Sequence, residues 1–187
     1  MNRLCDDDAM KALVEAMTIE PNGQLSRIDE LLASYPEDAR LHFLRGSNLI
    51  GAGRLIEGHG SLSRAVEIAP DFAIARFQLG LFQLTSGEAD NALETFGRLD
   101  RLPDGHYLRR FVDGLRCLIR DDFLGAIDNL QQGIRINAEN PPLNNDMQML
   151  IDLCLPLISQ VADDAAETPI SEASLILKQF SDRRNMN

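Results

Sequence analysis

AIARFQLGLFQLTSGEADNALETFGRLDRLPD, residues 73–104, is the stretch whose reading decides the fold. Phe77, Leu79, Gly80, Leu81 and Leu84 recur at helical spacing in its first half. Gly87 interrupts the pattern, and Ala92, Leu93, Phe96 and Leu99 restart it before Pro103 closes the unit. Two amphipathic helices joined by a tight turn cannot bury both apolar stripes unaided, so the hairpin needs neighbours. The chain supplies them. Pro36, Pro70 and Pro103 recur at an interval of about 34 residues, and Ala138 takes the next equivalent place ahead of Pro141 and Pro142. Gly46, Gly80 and Gly114 return on the same interval, as do Phe43, Phe77 and Phe111, and Ala92 returns as Ala126. Several residue types sharing one period mark an internal repeat.

Each type has a physical reason. A small residue in either helix of a hairpin lets the two backbones approach. Gly53, Gly87 and the Asp121-Asp122 pair stand where a first helix must stop and turn. Proline after a second helix prevents its continuation. This unit resembles that of the tetratricopeptide repeat (TPR) family. The family places small residues near its eighth and twentieth positions, a large apolar residue near its twenty-fourth and proline near its end. Gly80, Ala92, Phe96 and Pro103 fit that pattern in residues 73–106. Gly46, Leu62, Ala65 and Pro70 fit it in residues 39–72, with Gly58 for the usual alanine. Gly114, Ala126, Leu130 and Gly133 fit it in residues 107–140, with Ala138 for the closing proline. His42, Arg76 and Arg110 replace the family's large aromatic at the fourth position. The resemblance covers residues 39–140 and implies an all-α, right-handed α-solenoid of about three TPR-like helix hairpins.

The flanks read as caps. Residues 5–38 form a degenerate first hairpin, with Met10, Leu13, Val14 and Met17 on one helix face, a turn at Pro21-Asn22-Gly23, and Leu25, Ile28, Leu31 and Leu32 on the next. Residues 142–161 form a capping helix with Leu143, Met147, Leu150, Ile151 and Cys154 on one side, which Pro156 ends or kinks. Residues 1–161 are thus one solenoid domain. Residues 162–187 are an acidic linker, ADDAAET at 162–168, followed by a C-terminal amphipathic helix that starts at Thr168-Pro169 or is capped by Ser171. Leu175, Ile176, Leu177 and Phe180 are its apolar residues.

The bulk composition excludes several classes of function. Hydrophobic residues make up 44% and charged residues 25% of 187 residues, ordinary proportions for a globular chain. A formal net charge of −11 repels nucleic-acid phosphates. The N-terminus, MNRLCDDDAM, lacks the apolar core of a signal peptide, and LCLPLI at 153–158 is too short to span a bilayer. Cys5, Cys117 and Cys154 are scattered, odd in number and form no CxxC, so neither a zinc site nor a disulfide framework is expected. A reducing cytoplasm fits best, with no membrane and no nucleic-acid partner.

Catalytic signals are missing as well. His42, His59 and His106 belong to no nucleophile or metal motif, and no HExxH, GxSxG or GxxxxGK[ST] occurs. The glycine-rich run at 51–60 follows no strand, and the turn between helices accounts for it. No catalytic residue, cofactor or metal ligand is assigned.

The remaining candidate is a binding surface. By resemblance to the family, the first helix of each hairpin lines a concave face. Arg40, Phe43, Ser47 and Ile50 would point there, then Ile74, Phe77, Leu81 and Leu84, then Leu108, Phe111, Leu115 and Leu118. Arg40, Arg76 and Arg110 would orient a ligand. The three phenylalanines either form a ladder in this groove or belong to the core between repeats. The helix near residues 171–180 either covers the groove, in its own chain or in a neighbour's, or packs on the last repeat as a cap. A covered neighbour would make a homo-oligomer through that helix. Arg101, Arg109, Arg110, Arg116 and Arg120 form either a positive stripe for an acidic partner or a solvated face paired with nearby acids. The expected function is therefore non-catalytic: an adaptor or assembly factor holding a protein or peptide partner in an apolar groove. The alternatives are a secretion-type cytoplasmic chaperone for an apolar client and, furthest from the residues, an enzyme with an unrecognised site.

Overall fold

The computed structural model describes residues 4–20, 23–160 and 172–184. These form helices and connecting turns, with no strand among the described residues. The helices are α1 (Asp7–Ile19), α2 (Leu25–Ser34), α3 (Ala39–Gly51), α4 (Leu55–Ile68), α5 (Ala73–Thr85), α6 (Ala89–Gly97), α7 (Tyr107–Ile119), α8 (Phe123–Ile136), α9 (Pro141–Gln160) and α10 (Glu172–Arg184). A 3-10 turn over Arg98–Arg101 completes α6. The repeat is explicit in these bounds. α3, α5 and α7 each run 13 residues and start one period apart, at Ala39, Ala73 and Tyr107. α4, α6 and α8 start on the same interval, at Leu55, Ala89 and Phe123. α9 begins one period after α7.

The turn inside each hairpin repeats at atomic detail. Gly53, Gly87 and Asp121 take the left-handed conformation, with φ of 74°, 84° and 57°. Each amide donates to the carbonyl three residues back: Gly53 to Ile50, Gly87 to Leu84 and Asp121 to Leu118. The following amide donates five residues back, Arg54 to Leu49, Glu88 to Gln83 and Asp122 to Cys117, at 2.8, 2.9 and 3.0 Å. This pairing satisfies the last carbonyls of the first helix, and the left-handed residue favours glycine because it has no Cβ to clash. Asp121 is the exception in the series.

The chain divides into two compact units, residues 1–79 and 80–187. In the first, α1, α2 and α3 share a core of Cys5, Met10, Leu13, Ile28 and Leu41, flanked by Met17, Leu31 and Leu44. Val14, placed on the buried face of α1 by its spacing, is instead 47% exposed, because α2 and α3 pack on the Met10–Leu13 side. α3 and α4 lie side by side. In the second unit α7 pairs with α8, and α8 with α9. A Cβ added to Gly114 would come within 2.8 Å of Leu130 and 3.1 Å of the Ala126 carbonyl, which is the close approach the repeat pattern requires. Leu143, Met147, Leu150, Ile151 and Cys154 all turn inward from α9, which continues through Pro156 to Gln160 rather than ending there. The expected linker at 162–168 and the expected helix starts at Thr168-Pro169 and Ser171 lie outside the described residues.

Candidate functional site

In the first unit Arg40, about a third exposed, has its guanidinium fully engaged within the chain. Its guanidinium clasps Asp38, donating Nε–H to Oδ1 at 3.0 Å and Nη2–H to Oδ2 at 2.8 Å. It also reaches Asp7 at 2.7 Å and the Cys5 carbonyl at 2.7 Å. Asp38 is 1% exposed and accepts as well from the Cys5 and Arg40 amides, at 2.9 and 3.0 Å. Burial alone would raise its carboxyl; the guanidinium and the two amides outweigh that and hold it below the usual carboxylate range. The cluster ties the N-terminal segment to the start of α3. Its cause is a buried carboxylate that must be neutralised, and Arg40 supplies the charge.

Two of the fourth-position residues, Arg76 and His42, likewise serve the fold. Arg76, nearly buried, donates from Nε and Nη2 to the Pro70 carbonyl at 3.0 and 2.8 Å. His42 Nε2 meets the Pro36 carbonyl at 2.8 Å, one period earlier. A side chain that caps the carbonyl of the closing proline therefore takes the place where the resemblance predicted an aromatic. Phe43 is half-buried, edge to face with Phe72 at a centroid distance of 5.3 Å, and Ile74 is half-buried.

The apolar groove candidates are buried. Phe77, Leu81, Leu84, Leu108, Phe111 and Leu115 are at most 1% exposed, so none offers surface to solvent in this conformation. Of the two placements open for the phenylalanines, Phe77 and Phe111 take the core. For Phe111 the reason is on the opposing helix: its ring sits over Gly133, where a side chain would collide with it. Phe43, one period earlier, stays half-buried. Arg110 is half-buried. The arginine stripe is largely neutralised in place. Arg116 donates to both carboxylate oxygens of Asp100 at 2.7 and 3.0 Å, and its guanidinium lowers the Asp100 carboxyl. Arg109 meets Asp104 at 2.6 Å and the Leu102 carbonyl at 2.9 Å. The reading of a positive stripe gives way, for these two, to local pairing with acids.

What the second unit does present is a seat for a helix. α10 packs on α9 and α7, which occupy equivalent places one period apart. Its buried residues are Ala173, Ile176, Leu177 and Phe180, one face of a helix at i, i+3, i+4 and i+7, whereas Leu175 is 48% exposed. The Ala173 amide donates to Asp121 Oδ1 at 2.9 Å, so the left-handed residue of the α7–α8 turn caps the N-terminus of α10 across 52 residues of chain. At the other end Arg184 meets Asp146 of α9 at 3.5 Å. Burial raises the Asp146 carboxyl, and Arg184 only partly offsets that. Beside the first turn of α10 is an open cavity of about 460 Å³. Its walls are Leu84, Thr85, Ser86, Gly87, Ala89 and Ile119 on one side, and Ala173, Ser174, Leu177 and Lys178 of α10 on the other. The sequence gives the amphipathic helix and offers packing on the last repeat as one of its two placements, but it does not identify Asp121 and Asp146 as the residues that hold its ends. A signal for the Asp121 cap was the series Gly53, Gly87, Asp121, in which an aspartate stands where its two counterparts are glycine.

Other reactive groups are quiet. Burial pushes the Cys154 thiol to about 11 and raises those of Cys5 and Cys117, and it pushes the Tyr107 hydroxyl to about 12. His106 caps α7, with Nδ1 accepting from the Leu108 amide at 3.2 Å. Among the described residues no group of three His, Cys, Asp or Glu is placed to hold a metal ion, and no helix is long and apolar enough to cross a membrane. Compared with protein-family models and with curated proteins, the chain matches none. What fold and site define is a class: an all-helical protein with a regular hairpin period, in which an amphipathic helix is seated on two equivalent helices.

Proposed function

We propose that this chain is a non-catalytic protein-interaction module of tetratricopeptide-repeat type, an adaptor or assembly factor that receives an amphipathic helix or peptide of a partner protein. The reading takes the repeats over residues 39–140 as hairpins of a right-handed solenoid. The observation that carries this reading is the seating of α10: two successive first helices already accept an amphipathic helix through four buried residues. The chemistry of the surface suits binding: among the described residues an apolar helix face meets it, with Asp121 at one end and Asp146 at the other. The net charge of −11 favours a protein partner over nucleic acid, and a cytoplasmic setting accords with three free thiols.

The test uses the full chain carrying Phe180→Asp, which puts a charge on the buried face of α10 and vacates the seat. A fluorescent peptide of residues 172–184 should then bind saturably, one per chain, by anisotropy, with circular dichroism confirming an intact helical fold. Absence of binding to the folded variant overturns the reading. Phe180→Ala serves in its place if the aspartate variant does not fold.

A further inference from the structure

α9 carries one residue that its place in the repeat does not explain. Asp146 stands where α3, α5 and α7 carry Leu44, Gln78 and Val112, none of them ionisable. Val112 is fully buried, and on α9 itself Leu143 and Leu150, one turn to either side of Asp146, are buried as well. The Asp146 side chain is only 20% exposed, and Arg184 of α10 reaches it from across the contact. That pairing is loose. Its approach is 3.5 Å, against 2.7 Å for Arg116 and Asp100 and 2.8 Å for Arg40 and Asp38. Among the described residues Arg184 is the one charged group that acts on this carboxyl. The charges on the other packed helices are engaged elsewhere. On α7, Arg116 lies between Asp100 and Asp113, and Arg109 meets Asp104. On α8, Asp128 accepts from Gln132, and further along α9, Asp152 accepts from Gln148.

An ionised carboxylate in such a place costs free energy that one loosely placed guanidinium does not return. Burial accordingly raises the Asp146 carboxyl, and Arg184 lowers it by less. With α10 lifted away, water reaches the carboxylate and relieves that cost. We infer that α10 is a strap whose grip on α9 is set by Asp146: it holds more firmly when that carboxyl is protonated and opens more often when it is ionised. A carboxyl whose pKa is raised in the closed form takes up a proton on closing. It therefore stabilises that form increasingly as pH falls from the raised value toward the ordinary one of about 3.9. An ion pair that held the strap shut would give the reverse. The surface of α7 and α9 beneath α10 is thus uncovered more often near neutral pH than in mild acid. No partner protein is needed for this, because α10 opens and closes within its own chain.

Amide hydrogen exchange of the full chain reads the opening of residues 172–184, once corrected for the pH dependence of intrinsic exchange and referred to α8. In the wild type, protection of α10 should rise several-fold between about pH 7.5 and about pH 5. Asp146→Asn keeps the shape and removes the charge. It should give at neutral pH the protection that the wild type reaches in acid, with no further rise on acidification. Arg184→Gln should lower protection at neutral pH and keep the rise in acid. Asp121→Gly restores the glycine of the other two turns and removes the cap from Ala173, so it should lower protection at both pH values and leave the rise unchanged. Wild-type protection that is flat or falls on acidification overturns the inference. So does an Asp146→Asn chain whose α10 opens more readily than the wild type at neutral pH, since the charged pair would then be what holds the helix.

Discussion

At the scale of single residues, the Asp38–Arg40 cluster and the Asp146–Arg184 pair show how burial decides what a carboxylate contributes. Asp38 is buried with a guanidinium and two amides on its oxygens, and its folded pKa is depressed. Its stabilisation is present above the unfolded value of about 3.9 and is lost as pH falls through the lower folded value. Asp38→Asn should therefore cost about 2–3 kcal/mol in urea unfolding at neutral pH, and the difference from wild type should narrow as pH falls below the unfolded value and through the lower folded one. An unchanged acid limb would contradict this. Asp146 has the opposite sign: its pKa is raised by burial, so its charge opposes folding at neutral pH and that penalty is relieved on acidification. Neither role is visible in sequence. Asp38 and Arg40 are two residues apart and read as an exposed helix start; what buries them is Cys5 and its neighbours, 33 residues earlier.

At the scale of elements, the hairpins were legible because their determinants are local and repeat. A glycine that ends a helix and a small residue that admits a neighbour act within one unit, so periodicity alone exposes them. Gly114→Ala tests the second kind. The new methyl meets Leu130 at 2.8 Å and the Ala126 carbonyl at 3.1 Å, and a backbone carbonyl cannot rotate away as a side chain can. We expect a loss of about 1–3 kcal/mol in chemical denaturation, against a small effect for Gly60→Ala, whose added Cβ meets nothing within 4 Å. Equal tolerance of both would refute the close-approach role. The burial of Phe111 was less legible. Helical phase places it on a face, but whether that face meets water depends on Gly133 in the next helix, which leaves room for its ring.

At the scale of the whole molecule, the C-terminal helix is legible as an amphipathic helix, but the helices it docks on are not. Ending the chain at Gln160 should uncover α7 and α9, increase binding of an apolar dye, and lower Tm by a few degrees, as expected when a helix with four buried residues is removed. Dye binding and Tm equal to those of the full chain would show that α10 covers nothing of importance. The acidity of the chain, by contrast, bears on solubility and partner choice and not on its architecture.

The repeated turn at Gly53, Gly87 and Asp121 also limits how such a chain could change length. Each residue added to or lost from a helix rotates the downstream chain by about 100°. An arbitrary insertion would carry the small residues away from their partners and the left-handed position off its glycine. Gain or loss of one whole period restores both at once. A change in length that preserves this architecture therefore comes in whole hairpins, and the hairpin that carries Asp121 cannot be exchanged for another without losing the cap on α10.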